Sequence, residues 1–217
     1  MFFGKSMTFD EEELGNVASA ARGIVVRSTT EIEFIEKLKS GDAQALDTLV
    51  MRFSNDIYAL LYRLTQDAEE AADLTQETFL SALKAVGKFR GEADLKTWLF
   101  RIAINESRNR FRWWKRRFRS TTDSLDAPVG ASEKPLSETV SSNSINPEEM
   151  ILQRERERHL MKAVNDLPEN FREAVVLCDI EGLSYGEIAT ALNVNIGTVK
   201  SRIARGREEL RKKLHGF

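Results

Sequence analysis
The sequence predicts an all-α protein, two small helical domains joined by a flexible linker, with a helix-turn-helix in the second. Apolar residues recur at three- and four-residue steps over about 30–115 and again over 148–214, the period of a helix with one buried face. Residues able to cap helices stand at the head of these stretches, and glycines close several of them. Between them, residues 118–147 turn rich in Ser, Pro and acid (DAPVGASEKP, SSNSINPEE). A connection that long inside one compact domain is unusual, so it separates two.

Residues 1–28 show no sustained period and carry the acidic run Asp10 to Glu13; they read as a loose extension. The first domain is expected over 29–117. Thr30, Glu31, Ile32 and Glu33 have capping-box spacing, and this helix should stop near Gly41. Asp42 caps the next helix, with Leu46, Leu49, Val50, Phe53, Ile57, Leu60, Leu61 and Leu64 as its apolar residues. Asp67 caps a third, carrying Ala71, Leu74, Phe79 and Leu83 and ending by Gly87. After a short loop, 88–94, a fourth helix runs from about Leu95 to Lys115. The second domain, 148–217, opens on Pro147 and Glu148 with a helix to about Asn165, broken by Leu167 and Pro168. A helix from Glu169 to Glu181 ends at Gly182, and Ser184 and Glu187 form a second capping-box pair opening a short helix. Asn193, Val194 and Asn195 make a turn, and Asn195 caps a last helix with Val199, Ile203, Leu210 and Leu214 on its buried side.

Composition excludes several function classes. No apolar run is long enough to span a membrane, and the start, MFFGKSMTFDEEELG, lacks a signal-peptide core and cleavage site. Cys178 is the single cysteine, so neither a disulfide nor a Cys/His zinc set is expected. The expected compartment is the cytoplasm, with no cofactor and no metal. The net charge of −2 conceals strong asymmetry. Residues 96–119 hold nine basic side chains against Glu106, a local +8, residues 197–217 carry +5, and 120–150 carry −5. Basic islands of this kind point to nucleic acid.

Residues Leu183 to Leu210 have the helix-turn-helix plan, in which the second helix enters the major groove and its first turns meet base edges. Asn195, Gly197, Thr198, Lys200, Ser201 and Arg205 are expected to face outward, with Ile196, Val199 and Ile203 facing the core. In RNRFRWWKRRFR, Arg and Lys alternate with Phe111, Trp113, Trp114 and Phe118. These aromatics either stack on unpaired bases beside phosphate-binding arginines or close a core at a helix end. Asp73, Gln76 and Glu77 share one helical face. With no His or Cys nearby, they read as a solvated or partner-binding face. His159 and His215 are isolated, and Cys178 sits in the apolar run Ala174 to Cys178 as core. No paired acid and base, phosphate loop or nucleophile supports an enzyme, and no catalytic residue is expected. A stand-alone helix-turn-helix regulator is the rival reading, but it has no need of the first domain's acidic and basic helices.

The segments DLTQETFLSALK, FRGEADLKTWLFRIAINESRN, LPENFREAVVLCDIEGLSYGEIA and IGTVKSRIARGREEL occur in this order. Together they resemble the extracytoplasmic-function (group IV) sigma factors of bacterial RNA polymerase, nearest the RpoE-like branch. The resemblance implies an alternative sigma factor that binds core polymerase, directs it to promoters and helps open the DNA. It implies that Asp73, Gln76 and Glu77 dock on the largest catalytic subunit. Phe89, Arg90 and the loop to Asp94, with Trp98, Arg101, Asn105, Arg108 and Arg112 behind it, would take the unpaired nontemplate strand of the −10 element. Asn195, Gly197, Thr198, Lys200, Ser201 and Arg205 would read duplex −35 DNA. An anti-sigma factor is an expected partner, a stress response the expected setting, and the acidic linker would enter the polymerase's RNA path. Two departures stand out: Trp98, Leu99, Phe100 and Arg101 occupy the place of a tandem aromatic pair, and Lys200 stands where relatives often carry Arg, whose fork suits guanine better.

Overall fold
The computed structural model describes residues 29–91, 93–119 and 147–215. The expected N-terminal extension and nearly all of the acidic linker, with its proposed RNA path, lie outside the described residues. Among the described residues there are eight α-helices and no strand. Four lie before the linker: α1 (Thr29–Lys39), α2 (Ala43–Thr65), α3 (Ala68–Ala85) and α4 (Leu95–Arg119). Four follow it: α5 (Pro147–Asn165), α6 (Glu169–Val175), α7 (Tyr185–Leu192) and α8 (Ile196–Leu214). A 3-10 turn at Val86–Lys88 closes α3, and a π-turn at Val176–Ile180 continues α6.

The caps form where short polar side chains meet free amides. Asp42 accepts from the amides of Gln44 and Ala45, at 2.8 and 3.4 Å, and Asp67 from Glu69 and Glu70, both at 2.9 Å. Each such cap stabilises a helix by about 1 kcal/mol. Gly41 takes φ 78°, the left-handed conformation that turns the chain from α1 into α2.

Helix α2 buries Leu49, Phe53, Ile57, Leu60, Leu61 and Leu64 against α3 and α4. At roughly 2–3 kcal/mol for each large apolar side chain removed from water, this stripe dominates the region's stability. Two apolar residues expected on buried stripes are exposed instead. Val50 (41% exposed) lies one step round from Leu49, at the edge of what α3 and α4 cover. Leu80 (56%) lies on the side of α3 opposite its buried Ala71, Leu74 and Thr78, and Leu83 (37%) lies at the edge of the stripe, one turn beyond buried Phe79.

In the C-terminal set, α8 packs on α6 and α7. Gly206 makes the close approach possible, since a Cβ there would lie 2.6 Å from Val175 Cγ2. The two sets are not separate bodies. Helix α7 packs across α4, α5 and α6 touch α2, and one apolar cluster runs from Ile35 to Ile203 through Leu99, Ile104, Leu177 and Leu192. Helix α4 also continues to Arg119, past the expected end near Lys115.

Candidate nucleic-acid interface
The helix-turn-helix is built by three local devices. Ser184 and Glu187 close a full capping box on α7, with the Glu187 carboxylate accepting from the Ser184 amide at 2.8 Å. Asn193 then takes φ 55°, a left-handed turn that asparagine tolerates better than most residues. Asn195 opens α8 by accepting from the Thr198 amide at 2.7 Å and from the Thr198 hydroxyl at 2.9 Å. Val199 and Ile203 are buried, which turns Lys200, Ser201 and Arg205 to solvent. Ile196 does not face the core as expected; it is 39% exposed, because the first turn of α8 projects beyond the packing of α6 and α7.

The six expected −35 residues therefore divide. Asn195 and Thr198 shape the helix start, and the Ser201 hydroxyl donates to the Thr198 carbonyl at 2.9 Å. Gly197 is exposed beside them, leaving open backbone. Lys200 and Arg205 are exposed, and neither joins an ion pair among the described residues. Long cations held on a rigid helix without an internal partner suit phosphate and base edges.

The N-terminal reading face lies on α4 and the loop before it. Phe89 is 6% exposed and lies 4.9 Å, centroid to centroid, from Trp98. It therefore supports the half-buried Trp98 ring rather than offering its own face. Gly91 at φ 76° turns the loop back toward α4. Arg90, Arg101 and Asn105 are exposed. Arg108 is engaged: its Nε and Nη2 donate to the two Glu173 carboxylate oxygens at 2.6 and 2.5 Å. Arg112 donates to Asn109 Oδ1 at 2.5 Å and to the Arg108 carbonyl at 3.3 Å.

Asn105, Arg108 and Arg112 line a groove of about 400 Å³ together with Glu169, Asn170 and Arg202 from the C-terminal helices. Burial pushes the Glu173 carboxyl above the usual carboxylate range, against the pull of its hydrogen bond and charge pairing with Arg108. The same bond raises the Arg108 guanidinium. Beyond this groove, Phe111 (56%), Trp113 (44%) and Trp114 (45%) are exposed, so these three aromatics do not close a core.

The third face is acidic. Asp73 and Gln76 are exposed on α3, and Glu77 accepts from Arg110 Nη2 at 2.7 Å. Leu80 and Leu83 continue this face, giving it an apolar centre that the spacing of the acids did not reveal. Sequence reasoning also missed Glu173, Arg202 and Arg110. A carboxylate directly before the apolar run Ala174 to Cys178 is a signal for Glu173; nothing in the spacing singles out the other two. Among the described residues no group of three His, Cys, Asp or Glu could hold a metal ion, and no helix is long and apolar enough to cross a membrane.

Among the described residues, an all-helical fold with a capped helix-turn-helix and a second, partly aromatic basic helix has the plan of a DNA-binding protein. Comparisons with known proteins narrow the class. Residues 49–117 match the family profile Sigma-70 region 2, and residues 157–210 match Sigma-70, region 4. The RNA polymerase sigma-H factor of Pseudomonas aeruginosa is 38% identical over 182 residues, covering 84% of this chain and 92% of that protein. The ECF RNA polymerase sigma-E factor of Escherichia coli K12 is 34% identical over 186 residues, covering 85% and 94%. Among solved structures, the sigma factor RpoE bound to the anti-sigma factor NepR, from Bartonella quintana, superposes with TM-score 0.60 at 25% identity, covering 78% of this chain and 96% of that one. CnrH in complex with the cytosolic domain of CnrY shares the fold, with TM-score 0.58 at 22% identity over 84% and 96%. The chain belongs to the extracytoplasmic-function sigma factors of the sigma-70 family. It is an alternative sigma factor, a non-enzymatic subunit that directs RNA polymerase to promoters.

Proposed function
We propose that the three faces divide the work of initiation. Helix α8 reads duplex −35 DNA through Lys200 and Arg205, with Gly197 and Ser201 at close backbone approach and Asn195 and Thr198 holding the first turn. Helix α4 takes the unpaired nontemplate strand of the −10 element. In this reading Trp98, backed by Phe89, meets an extracted base, Asn105 contacts a base edge, and Arg90, Arg101, Arg108 and Arg112 hold phosphates. Extracting a base costs a few kcal/mol of stacking and pairing, which a prepared aromatic face and the local +8 charge offset. Helix α3 docks core polymerase through Asp73, Gln76 and Glu77, around Leu80.

The observation that carries this reading is the exposure of Lys200 and Arg205 on one helix and of Arg101 and Asn105 on another within a single chain. A regulator that binds duplex alone needs only the first. Two solved relatives are complexes with an anti-sigma factor or with a cytosolic domain of a partner, which supports an anti-sigma partner here and a cytoplasmic site of action. The deciding experiment is transcription reconstituted from core polymerase and this chain on a library of −35/−10 promoters. Promoter-specific initiation is the expected result; tight duplex binding by the chain alone, with no specific initiation, would overturn the reading.

A further inference from the structure
Helix α4 is the longest among the described residues, 25 residues or about 37 Å. Its root is held by the core: Leu95, Leu99, Phe100, Ala103 and Ile104 are buried. The last ties to neighbouring helices are Arg108 on Glu173 and Arg110 on Glu77. From Phe111 to Arg117 every residue is exposed, so the final turns stand clear of the body. Two tryptophans, Trp113 and Trp114, lie on this projecting tip. Large apolar rings grouped in water mark an interaction surface rather than a packing residue left over.

The charge around these rings has one sign. Residues 107–119 hold seven basic residues and no acid. Lys115 and Arg116 are exposed, and neither joins an ion pair among the described residues. The geometry of the rings narrows the partner. Trp113 and Trp114 meet edge to face at 5.8 Å, with their planes at 90°, and the Arg117 guanidinium lies 5.0 Å from the Trp113 ring centre. An unpaired base stacks on an open, flat ring face; here one indole is turned across the other, and a cation already covers Trp113. Indoles at a bilayer surface sit at head-group level beside lysine and arginine and need no stacking partner. On its other side the helix overhangs a groove of about 480 Å³, where Phe111 and Trp114 face Leu167 and Pro168 and the carboxylates Glu70 and Glu169. Those acids disfavour anions in the groove, which leaves the outer side, with Trp113, Lys115 and Arg116, to receive them.

We infer that the tip of α4, Trp113 to Arg117, is a docking surface for a membrane with anionic head groups. The tip lies on the bilayer rather than crossing it: among the described residues no helix is long and apolar enough to span, but rings beside lysine and arginine bind at the head-group boundary. Two contributions add. One is burial of the exposed indole area. The other is attraction of Lys115 and Arg116 to lipid phosphates, about fivefold in affinity per cation. Binding of this kind is reversible and depends on lipid composition. The surface is distinct from the side chains assigned to −10 and −35 DNA and from the acidic face of α3.

Sedimentation of the full chain with lipid vesicles provides the test. Vesicles of equal parts phosphatidylglycerol and phosphatidylcholine should carry the chain down, vesicles of phosphatidylcholine alone should not, and added salt should release it. Trp113→Ser combined with Trp114→Ser should weaken binding to the anionic vesicles about thirtyfold, the scale of two half-exposed rings losing their burial. Lys115→Gln combined with Arg116→Gln should weaken it about twenty-fivefold, the product of two cations at about fivefold each. All four side chains are exposed, so the thermal midpoints of both variants should match that of the unmodified chain. Failure to sediment with anionic vesicles, or equal sedimentation with both kinds, overturns the inference. Binding that falls in the charge variant but not in the tryptophan variant is the general attraction of a basic helix, and also rejects the docking surface. Short unpaired oligonucleotides of randomised sequence, titrated into the same variants, separate the remaining case. A tryptophan variant that loses oligonucleotide affinity while keeping vesicle affinity assigns the tip to nucleic acid instead.

Discussion
Helices α4 and α8 both present basic side chains, yet the fold treats them differently. On α8, Lys200 and Arg205 stand exposed without an ion-pair partner among the described residues, above a stripe of Val199 and Ile203 that is fully buried. On α4, Arg108 is bonded to Glu173 and Arg110 to Glu77, while Arg101 and Asn105 remain exposed. Further along α8, Arg207 pairs with Asp179 and Lys213 with Asp166, so it is the first turns of α8 that are displayed, whereas the middle of α4 is partly engaged. Local charge measures the attraction a surface can exert at a distance, but the availability of each guanidinium depends on carboxylates that arrive from elsewhere in the chain.

The largest expected effect tests whether the acidic helix belongs to this comparison at all. Glu77→Lys places a cation beside Arg110 and removes a carboxylate from the docking face. Affinity for core polymerase should fall roughly a hundredfold, the scale of a central interface residue, as measured by competition against the unmodified chain. Unchanged affinity would reject the docking assignment for α3. Asn105→Ala comes next. Loss of a base-edge contact removes about 1–3 kcal/mol of discrimination, so initiation rates across a −10 library should converge while core affinity holds. Equal loss at every −10 variant would show that Asn105 does not read sequence.

Arg205→Ala should weaken −35 duplex binding by about 1–2 kcal/mol. If its contact is to phosphate, the salt dependence of binding also flattens by about one ion, uniformly across sequences; a base contact instead relaxes preference at one position. The smallest effect concerns how α8 is seated. Gly206→Ala puts a Cβ 2.6 Å from Val175 Cγ2. Overpacking of about 1–3 kcal/mol is then opposed by the helical preference of alanine over glycine, about 1 kcal/mol. A modest fall in the thermal midpoint is expected, with weaker −35 binding and unaltered −10 preference. A midpoint that rises would show that α6 yields to the methyl group.

The helices were largely legible because their determinants are local. Asp42, Asp67, Ser184 and Asn195 each cap the helix that their spacing indicates, and the three- and four-residue apolar steps mark buried stripes without reference to distant residues. Errors arose where burial depends on a neighbour's reach. Val50 and Leu83 have the right character and nearly the right spacing, but lie beyond what the adjacent helices cover. Ile196 fails similarly, at a helix start that nothing overlies. The site was legible as a set of faces and less so as individual contacts. Phe89 supports Trp98 from beneath, because a ring in a short loop can reach the core that α4 helps to form. Glu173 was legible only as a carboxylate beside an apolar run, and its pairing was not, because the partner is 65 residues away. No periodicity relates an acid on α6 to an arginine on α4; only the packing of α7 across α4 brings them together.

Helix α4 has one further consequence. The chain contains three tryptophans, and Trp98, Trp113 and Trp114 all lie on this helix. Trp98 is half-buried against Phe89, whereas Trp113 and Trp114 meet edge to face at 5.8 Å in solvent, with the Arg117 guanidinium 5.0 Å from the Trp113 ring. The tryptophan emission of the isolated protein is therefore the spectrum of one helix, with a shorter-wavelength component from its root and a longer-wavelength one from its tip. Quenching by an added solute should remove the second component first, so an unlabelled sample already carries an optical gauge of which end of α4 another molecule covers.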